Sequence, residues 1–241
     1  MNSNFIVLPH TIHLWRVPLQ ELTSDEQHLL SLLSPDEVQR ADRFHFPIHR
    51  QRFIIARATL RRILSLYMGL EPEEIVFEYG PHSKPYLQDK AFDLQFNLSH
   101  SHDIAVYALT KQAEIGVDIE KIEDFKEDIA KRFFSPEEVA QLMQLPAEEK
   151  CSAFYTIWAC KEAVIKTFGK GLYTSLADFS VSAQKKIQSI NLKCEQKNDD
   201  LHLESFLVHP DYRAAFATNQ MVEGVFYWQW LGDGCSVWDR L

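Results

Sequence analysis

The chain has 241 residues, of which 46% are hydrophobic and 24% are charged, and its formal net charge at pH 7 is −9. This size and composition predict one large domain or two small ones with hydrophobic cores, and the acidic balance argues against non-specific nucleic-acid binding. No apolar run approaches the roughly 18 residues of a membrane span, and the N-terminus does not resemble a signal peptide. We therefore expect a cytoplasmic protein without a membrane partner. Its four cysteines are scattered without a CxxC pair, which favours reduced thiols and no zinc site.

Hydrophobic periodicity and turn residues predict a mixed α+β chain. In the first half, the predicted segments are a strand within 5–19, a helix from a capping box at Thr23 through Leu33, a helix starting at Ser34-Pro-Asp-Glu37, a long helix from about His49 to Met68, and strands over 75–79, 94–98 and 104–109. In the second half, they are a strand over 115–120, a helix starting at Ser135-Pro-Glu-Glu138, a long helix reaching Phe168, and second-sheet strands over 179–181, 201–208, 213–217 and 225–230.

The two halves resemble each other in the order of their helix signals. Ser135-Pro-Glu-Glu138 repeats Ser34-Pro-Asp-Glu37 at an offset of 101 residues, and the same offset pairs Phe53 with Phe154. Because a start signal and a long helix recur in the same order, we predict an internal duplication, with one half over residues 1–110 and the other over 111–241. Two such halves would meet along a pseudo-twofold axis, and clefts between halves are favoured places for ligands.

A run of arginines stands out in this acidic chain. Seven arginines lie between Arg40 and Arg62 against the single acid Asp42, so the segment carries +6. Two interpretations stay open at this point: a solvated helix face, or a patch that binds phosphate through guanidinium groups.

Three segments carry residues suited to a magnesium-bound pyrophosphate. Four-residue spacing places Glu162 and Lys166 on one stripe of the second long helix, and strand alternation places Asp118 and Glu120 on one face. A further strand ends at Ser99 and His100. Each feature alone is typical of an ordinary surface pair or a satisfied polar group. Together they supply the oxygen ligands and the positive charge that such a group needs.

The motifs in this order resemble the Sfp-type 4′-phosphopantetheinyl transferases. The matching segments are Gly80-x-x-x-Lys84-Pro, Phe96-Asn-Leu-Ser99-His100-Ser101, Gly116-Val-Asp118-Ile-Glu120, Lys131-Arg-Phe-Phe-Ser135 and Trp158-x-x-Lys161-Glu162-Ala163-x-x-Lys166. The resemblance implies two similar α+β halves related by a pseudo-twofold axis, with coenzyme A bound between them. It also implies transfer of phosphopantetheine from coenzyme A to a serine of an apo acyl or peptidyl carrier protein.

The resemblance further implies a role for each matching position. Asp118, Glu120 and Glu162 would hold Mg²⁺ against the pyrophosphate, with Lys166 on the same phosphates and Glu162 as the candidate base, direct or through a water. The remaining coenzyme A contacts would be Ser99 and His100 near the pyrophosphate and the 3′-phosphate, Lys84 by the adenosine end, Arg52 on the 3′-phosphate and Arg40 as a second contact. This chain departs from the family pattern at two positions: Ser83 stands where a glycine often precedes the lysine, which implies a different turn, and Glu37 stands where some members carry a base, which implies a different 3′-phosphate cradle.

Two other functions would also use parts of this pattern. A magnesium-dependent nucleotide hydrolase would need an activated water and usually more carboxylates, and no Walker or Nudix pattern is present. A catalytically inactive binder of carrier proteins or coenzyme A would be favoured by the loss of a metal carboxylate or of Lys166, and these residues are intact. The internal duplication predicts a monomer. Lys131 and Arg132 with Phe133 and Phe134 are the candidates for docking the carrier protein.

Overall fold

The computed structural model describes residues 5–20, 25–80, 83–169, 175–194, 197–232 and 234–238. The helices in these ranges are α1 (Glu26–Ser31), α2 (Pro35–Ala41), α3 (Pro47–Met68), α4 (Glu127–Phe133), α5 (Pro136–Gln144) and α6 (Ala147–Phe168). The strands are β1 (Thr11–Pro18), β2 (Phe77–Tyr79), β3 (Pro85–Leu87), β4 (Leu94–Ser101), β5 (Ile104–Lys111), β6 (Ile115–Lys121), β7 (Ile187–Cys194), β8 (Lys197–His209), β9 (Tyr212–Thr218), β10 (Gly224–Trp230) and β11 (Cys235–Val237).

The helix boundaries follow from capping residues in the sequence. Helices α2 and α5 begin at the predicted start signals, and the structure shows a capping box at each, at Ser34 and Ser135. Helices α3 and α6 each have 22 residues, and each ends at a glycine in the left-handed region, Gly69 at φ 67° and Gly169 at φ 59°. Helix α1 is capped by Asp25, whose side chain accepts a hydrogen bond from the Gln27 amide at 3.1 Å. The predicted cap at Thr23 lies outside the described residues.

Two β-sheets pack face to face and carry one long helix on each outer side. The first sheet has the order β11-β10-β1-β5-β4 and the second the order β6-β9-β8-β7, with β2 and β3 forming a separate pair. Alternate residues of the strands fill different cores, as in β1, where Leu14 faces the second sheet and Trp15 faces α3. Helix α6 packs on the outer face of the second sheet in the same way. None of the helices in the described ranges has the length and apolar character needed to cross a bilayer.

The predicted duplication is confirmed, but its register changes along the chain. The strand order β1-β5-β4 of the first half matches β6-β9-β8 of the second, and all these pairs are antiparallel. The capping boxes are 101 residues apart, whereas α3 and α6 start and end 100 residues apart. The exposure pattern of the two helices agrees at the spacing of 100, so Arg61 corresponds to Lys161. The predicted pairing of Phe53 with Phe154 is therefore wrong by one residue.

The C-terminal strands join the sheet of the first half. We predicted residues 225–230 in the second sheet, but β10 pairs in parallel with β1, and Trp228 stacks on Trp15 at a ring distance of 5.8 Å. The strand predicted over 179–181 is also wrong, because this segment pairs with no strand in the described ranges, and the Phe179 carbonyl accepts a hydrogen bond from Lys161. The division at residues 110 and 111 stays a prediction, and strands β10 and β11 of the predicted second half complete the first sheet.

Candidate active site

Strand β6 approaches helix α6 so closely that only glycine fits at one position. A Cβ atom added to Gly116 would lie 2.1 Å from the Ala163 carbonyl oxygen and 2.4 Å from the Thr167 amide nitrogen. The side chains of Val117 and Ile119 point into the core between the sheets, so those of Asp118 and Glu120 face α6. The close approach at Gly116 thus brings the carboxylates of β6 next to the polar stripe of α6.

Three side chains from three elements form a hydrogen-bonded cluster. Lys166 Nζ of α6 lies 2.5 Å from Asp118 Oδ1 of β6 and donates to Ser99 Oγ of β4 at 3.0 Å. Ser99 Oγ in turn donates to Asp118 Oδ1 at 2.9 Å. Asp118 is only 3% exposed, and within the described residues its second oxygen, Oδ2, is buried without a hydrogen-bond partner. A buried carboxylate oxygen without a partner is costly, so it marks a position where a ligand would be stabilising.

Strand β4 holds β6 in place through every second side chain. Asn97 Oδ1 accepts a hydrogen bond from the Val117 amide at 2.9 Å, and Ser101 Oγ accepts one from the Lys121 amide at 3.1 Å. The Ser101 hydroxyl also donates to Glu120 Oε2 at 3.4 Å. With Ser99 between them, these residues form a polar row on one face of β4. The row connects the edges of the two sheets at the cluster.

The three carboxylates interact electrostatically without forming a preformed metal cage. Burial, and then the negative charge of Asp118, raises the pKa of Glu120 to about 7 and raises the pKa of Glu162. Across the part of the chain that the structure describes, no group of three His, Cys, Asp or Glu side chains is arranged to hold a metal ion. Mg²⁺ usually binds one or two carboxylates together with substrate phosphates and several waters. The carboxylates of Asp118, Glu120 and Glu162 repel each other, and within the described residues Asp118 Oδ2 has no hydrogen-bond partner. Both features fit a site in which Mg²⁺ is shared with the phosphates.

A cavity of about 440 Å³ opens beside this cluster. Its walls come from both halves, with α2 and α3 on one side, and Ile165, Lys166 and Gly169 on the other. His100 lines this cavity. Burial, followed by the positive charges of Lys166 and Arg52, lowers the pKa of its imidazole. The cavity lies between the two halves, as the duplication predicted.

Comparison with known proteins decides the family. Residues 114–217 match the model of the 4′-phosphopantetheinyl transferase superfamily, and residues 19–112 match the model of the 4′-phosphopantetheinyl transferase N-terminal region. The 4′-phosphopantetheinyl transferase HetI of Nostoc sp. is 43% identical over 173 residues, which cover 70% of this chain and 73% of HetI. The chain belongs to the 4′-phosphopantetheinyl transferase superfamily. The 4′-phosphopantetheinyl transferase Sfp of Bacillus subtilis is 30% identical over 191 residues, which cover 79% of this chain and 84% of Sfp. These matches confirm the resemblance seen in the motifs.

The arginines expected in the phosphopantetheinyl transferase site lie in different surroundings. Arg40 lines the cavity, with its guanidinium 5.5 Å from the centre of the Phe53 ring. Arg52 forms an ion pair with Asp103 and is not among the residues that line the cavity. The role of Arg52 on the 3′-phosphate therefore stays a prediction. To bind the phosphate, the Arg52 guanidinium would have to break its ion pair with Asp103 or contact both groups at once.

Lys84 lines the cavity, but its ammonium group is bonded to the backbone of the second half. Lys84 Nζ donates to the carbonyl oxygens of Ile115 at 3.1 Å, Lys166 at 3.0 Å and Thr167 at 2.7 Å. Burial lowers the pKa of this lysine. Cations are stabilising at the C-terminus of a helix, where the last carbonyls lack helical partners. Lys84 therefore ties the turn after β2 to the end of α6, and its expected contact with adenosine stays a prediction.

Sequence reasoning missed several residues that build the site. The period of two in Asn97, Ser99 and Ser101 was a signal for a polar row on β4, and it was available in the sequence. The motif contains Gly116, but the steric reason for a glycine there appears only in its contact with α6. Arg57 also lines the cavity, and nothing in the arginine run distinguished it from its neighbours.

The candidate docking segment is only partly exposed. Phe134 is 3% exposed within the second core, and Phe133 packs edge-on against Trp158 at a ring distance of 5.7 Å. Lys131 is exposed and pairs with Glu127 at 2.6 Å. Phe133 and Phe134 thus pack within the protein. That Lys131 and Arg132 dock the carrier protein stays a prediction.

Proposed function

We propose that the protein transfers the 4′-phosphopantetheine group from coenzyme A to a serine hydroxyl of an apo acyl or peptidyl carrier protein. The observation that carries the proposal is the cluster of Asp118, Lys166 and Ser99 at the wall of a cavity between the two halves. It occurs in a chain whose relatives HetI and Sfp are named 4′-phosphopantetheinyl transferases. The products would be the holo carrier protein and adenosine 3′,5′-bisphosphate.

The reaction exchanges one phosphorus–oxygen bond for another. The serine oxygen of the carrier bonds to the phosphorus that bears pantetheine, and the bond from that phosphorus to the bridging pyrophosphate oxygen breaks. The bridging oxygen leaves with adenosine 3′,5′-bisphosphate, and the serine proton passes to a base. Such a step depends on neutralising phosphate charge, aligning the two reactants and removing the proton.

Lys166 and the carboxylates divide these tasks in the proposal. Lys166 supplies positive charge to the phosphates, and the bonds from Asp118 and Ser99 keep its ammonium at the cavity wall. Glu162 takes the proton from the serine, directly or through a water, because it lies on the same stripe of α6 one turn before Lys166. His100 at the cavity wall would contribute to phosphate binding as a neutral hydrogen-bonding group.

Asp118, Glu120 and Glu162 would hold Mg²⁺ at this site together with the pyrophosphate. The ion would act as a Lewis acid that neutralises charge on the phosphoryl oxygens. The fit rests on the unpartnered Oδ2 of Asp118 and on the raised pKa values of Glu120 and Glu162. A nearby cation would pair with this oxygen and lower both pKa values. We further propose that the protein is a monomeric, cytoplasmic holo-carrier-protein synthase of the Sfp type.

Two variants of helix α6 test the proposal. Glu162→Gln and Lys166→Ala are expected to stay folded and to lower the turnover of coenzyme A and an apo carrier protein by about 10² or more. Glu148→Gln makes the same chemical change in the exposed first turn of the same helix and serves as the matched control. Turnover near the parental level in Glu162→Gln or in Lys166→Ala, or loss of folding in both, contradicts these roles.

A further inference from the structure

Three large hydrophobic side chains are exposed where the chain passes from α2 into α3. Phe44 is 38% exposed, Phe46 is 58% exposed and Ile48 is 43% exposed. These three residues lie within a five-residue segment and are called the apolar strip below. Exposure of grouped apolar side chains to water is unfavourable, so such a group marks a surface that another molecule covers.

Folding does not account for the phenylalanine at position 46. Phe46 occupies the N-cap position of α3, and its side chain makes no capping hydrogen bond. Serine, threonine, aspartate and asparagine stabilise a helix at this position, because their side-chain oxygen accepts a hydrogen bond from a backbone N–H that lacks a helical partner. An exposed phenylalanine at a helix cap therefore serves binding better than it serves stability.

The residues around the apolar strip carry positive charge. Residues 43–50 contain two arginines and two histidines and no acid, in a chain whose net charge is −9. Arg50 is already paired, with Nη1 2.5 Å from Glu26 Oε1 and Nε 3.3 Å from Asp42 Oδ1. Arg43 is exposed and donates to the neutral Gln39 side chain at 3.0 Å, and within the described ranges it forms no ion pair. The charge of Arg43 is thus available to an acidic group of a partner.

The apolar strip lies beside the cavity between the two halves. The ring centre of Phe44 is 5.4 Å from that of Phe53, and Phe53 lines the cavity. His49 follows the strip directly and is close to His100 in the cavity wall: after burial and two stronger charges, the charge of His49 also lowers the pKa of His100. A molecule bound to the strip would therefore lie next to the cavity.

We propose that the apolar strip and Arg43 form a docking surface for the apo carrier protein, which presents an apolar face bordered by acidic side chains. This inference rests on the proposed function, which requires a carrier protein at the cavity. The docking segment predicted from the sequence lacks its apolar part, because Phe133 and Phe134 pack within the protein. The apolar strip supplies that contact, and Arg43 supplies charge that favours one orientation of the partner.

Phe46→Ser separates docking from folding, because serine is the better helix cap. Its melting temperature should equal or exceed that of the parent, whereas its KM for the carrier protein should rise about tenfold in steady-state assays. The KM for coenzyme A and kcat at saturating carrier protein should stay parental. Arg43→Gln should raise the KM for the carrier protein by about two- to fivefold. Met221→Ser is the matched control, because it removes a side chain that is 68% exposed in the loop between β9 and β10, and it should change none of these constants.

A parental KM for the carrier protein in Phe46→Ser overturns the inference, and so does an equal rise in the KM for coenzyme A, which would place the strip in the coenzyme A site. Sedimentation tests the other occupant: a dimeric parent and a monomeric Phe46→Ser variant would show that a second copy covers the strip, which also overturns the inference. A parent that modifies no carrier protein overturns the proposed function, and this inference with it. Should Phe46→Ser not fold, Ile48→Gln removes a neighbouring side chain of the strip, and a parental KM in that variant overturns the inference.

Discussion

Lys161 lies next to Glu162 in the site motif, yet the structure makes it a stabilising residue of the second core. The side chain is fully buried, and Nζ donates to the carbonyl oxygens of Leu176 and Phe179, both at 2.6 Å. Nζ also lies 2.8 Å from Glu138 Oε2. Its three N–H donors therefore have three acceptors, and none of these acceptors belongs to the cavity wall. We predict that Lys161→Met lowers stability and leaves the chemistry of the folded protein intact.

The size of the effect follows from the partners left behind. In Lys161→Met, Glu138 would remain buried with only the backbone amides of Ser135 at 2.8 Å and Val181 at 2.7 Å, and two buried carbonyls would lose their donor. Removing one partner of a buried ion pair costs about 3–5 kcal/mol. In a chain of this length each kcal/mol lowers the melting temperature by about 2–4 °C, so we expect a decrease of roughly 6–20 °C.

Thermal melts and turnover at low temperature measure the two parts of this prediction. Lys166→Met is the matched comparison on the same helix, because it removes a lysine that lines the cavity and should lower the turnover of the folded protein, which Lys161→Met should not. Adding Glu138→Gln to Lys161→Met should restore part of the stability, since it removes the unpaired buried charge. A Lys161→Met protein that melts within about 2 °C of the parent, or that stays folded but inactive, would refute the reasoning.

Three further predictions concern the metal, pH and the carrier protein. Asp118→Ala should lower turnover by about 10² or more, and excess chelator should abolish parental activity; full turnover in chelator would contradict a divalent ion. Burial lowers the pKa of His13 to about 4, below its unfolded value near 6.5, so protonation favours unfolding as the pH falls. The free energy of unfolding should drop by about 2 kcal/mol between pH 7 and pH 5, and denaturant titrations of His13→Asn should lack this component; an equal drop in that variant would exclude His13 as its origin. Lys131→Glu should raise the KM for the carrier protein and not that for coenzyme A, whereas equal changes in both would remove Lys131 from the docking surface.

The local patterns in the sequence predicted the polar cluster correctly. Alternation in β6 placed Asp118 and Glu120 on one face, and helical spacing placed Glu162 and Lys166 on one stripe; both faces meet in the structure. These predictions succeed because they depend on the period of a single element. The two helix starts predicted at Ser34 and Ser135 are confirmed for the same reason.

Predictions that required a partner distant in sequence were less successful. Residues 225–230 were recognised as a strand, but the pattern within a strand does not identify the strand beside it, and β10 pairs with β1. The contact of the Lys84 ammonium with the carbonyls at the end of α6 was not predicted, and the expected contact of Lys84 with the ligand stays a prediction. The arginine run had no periodic feature that separated Arg57, at the cavity, from Arg52, which is paired with Asp103. These outcomes depend on tertiary packing that one-element patterns do not contain.

Intact-mass measurement of apo carrier proteins tests the central claim most directly. The purified protein is incubated with coenzyme A, Mg²⁺ and a panel of apo acyl and peptidyl carrier proteins, each beside a variant whose acceptor serine is replaced by alanine. We predict that at least one carrier protein gains the mass of one phosphopantetheine group, that its alanine variant gains none, and that adenosine 3′,5′-bisphosphate appears in equal amount. Binding of carrier protein and coenzyme A without any mass gain across the panel would contradict the account and favour an inactive binding protein.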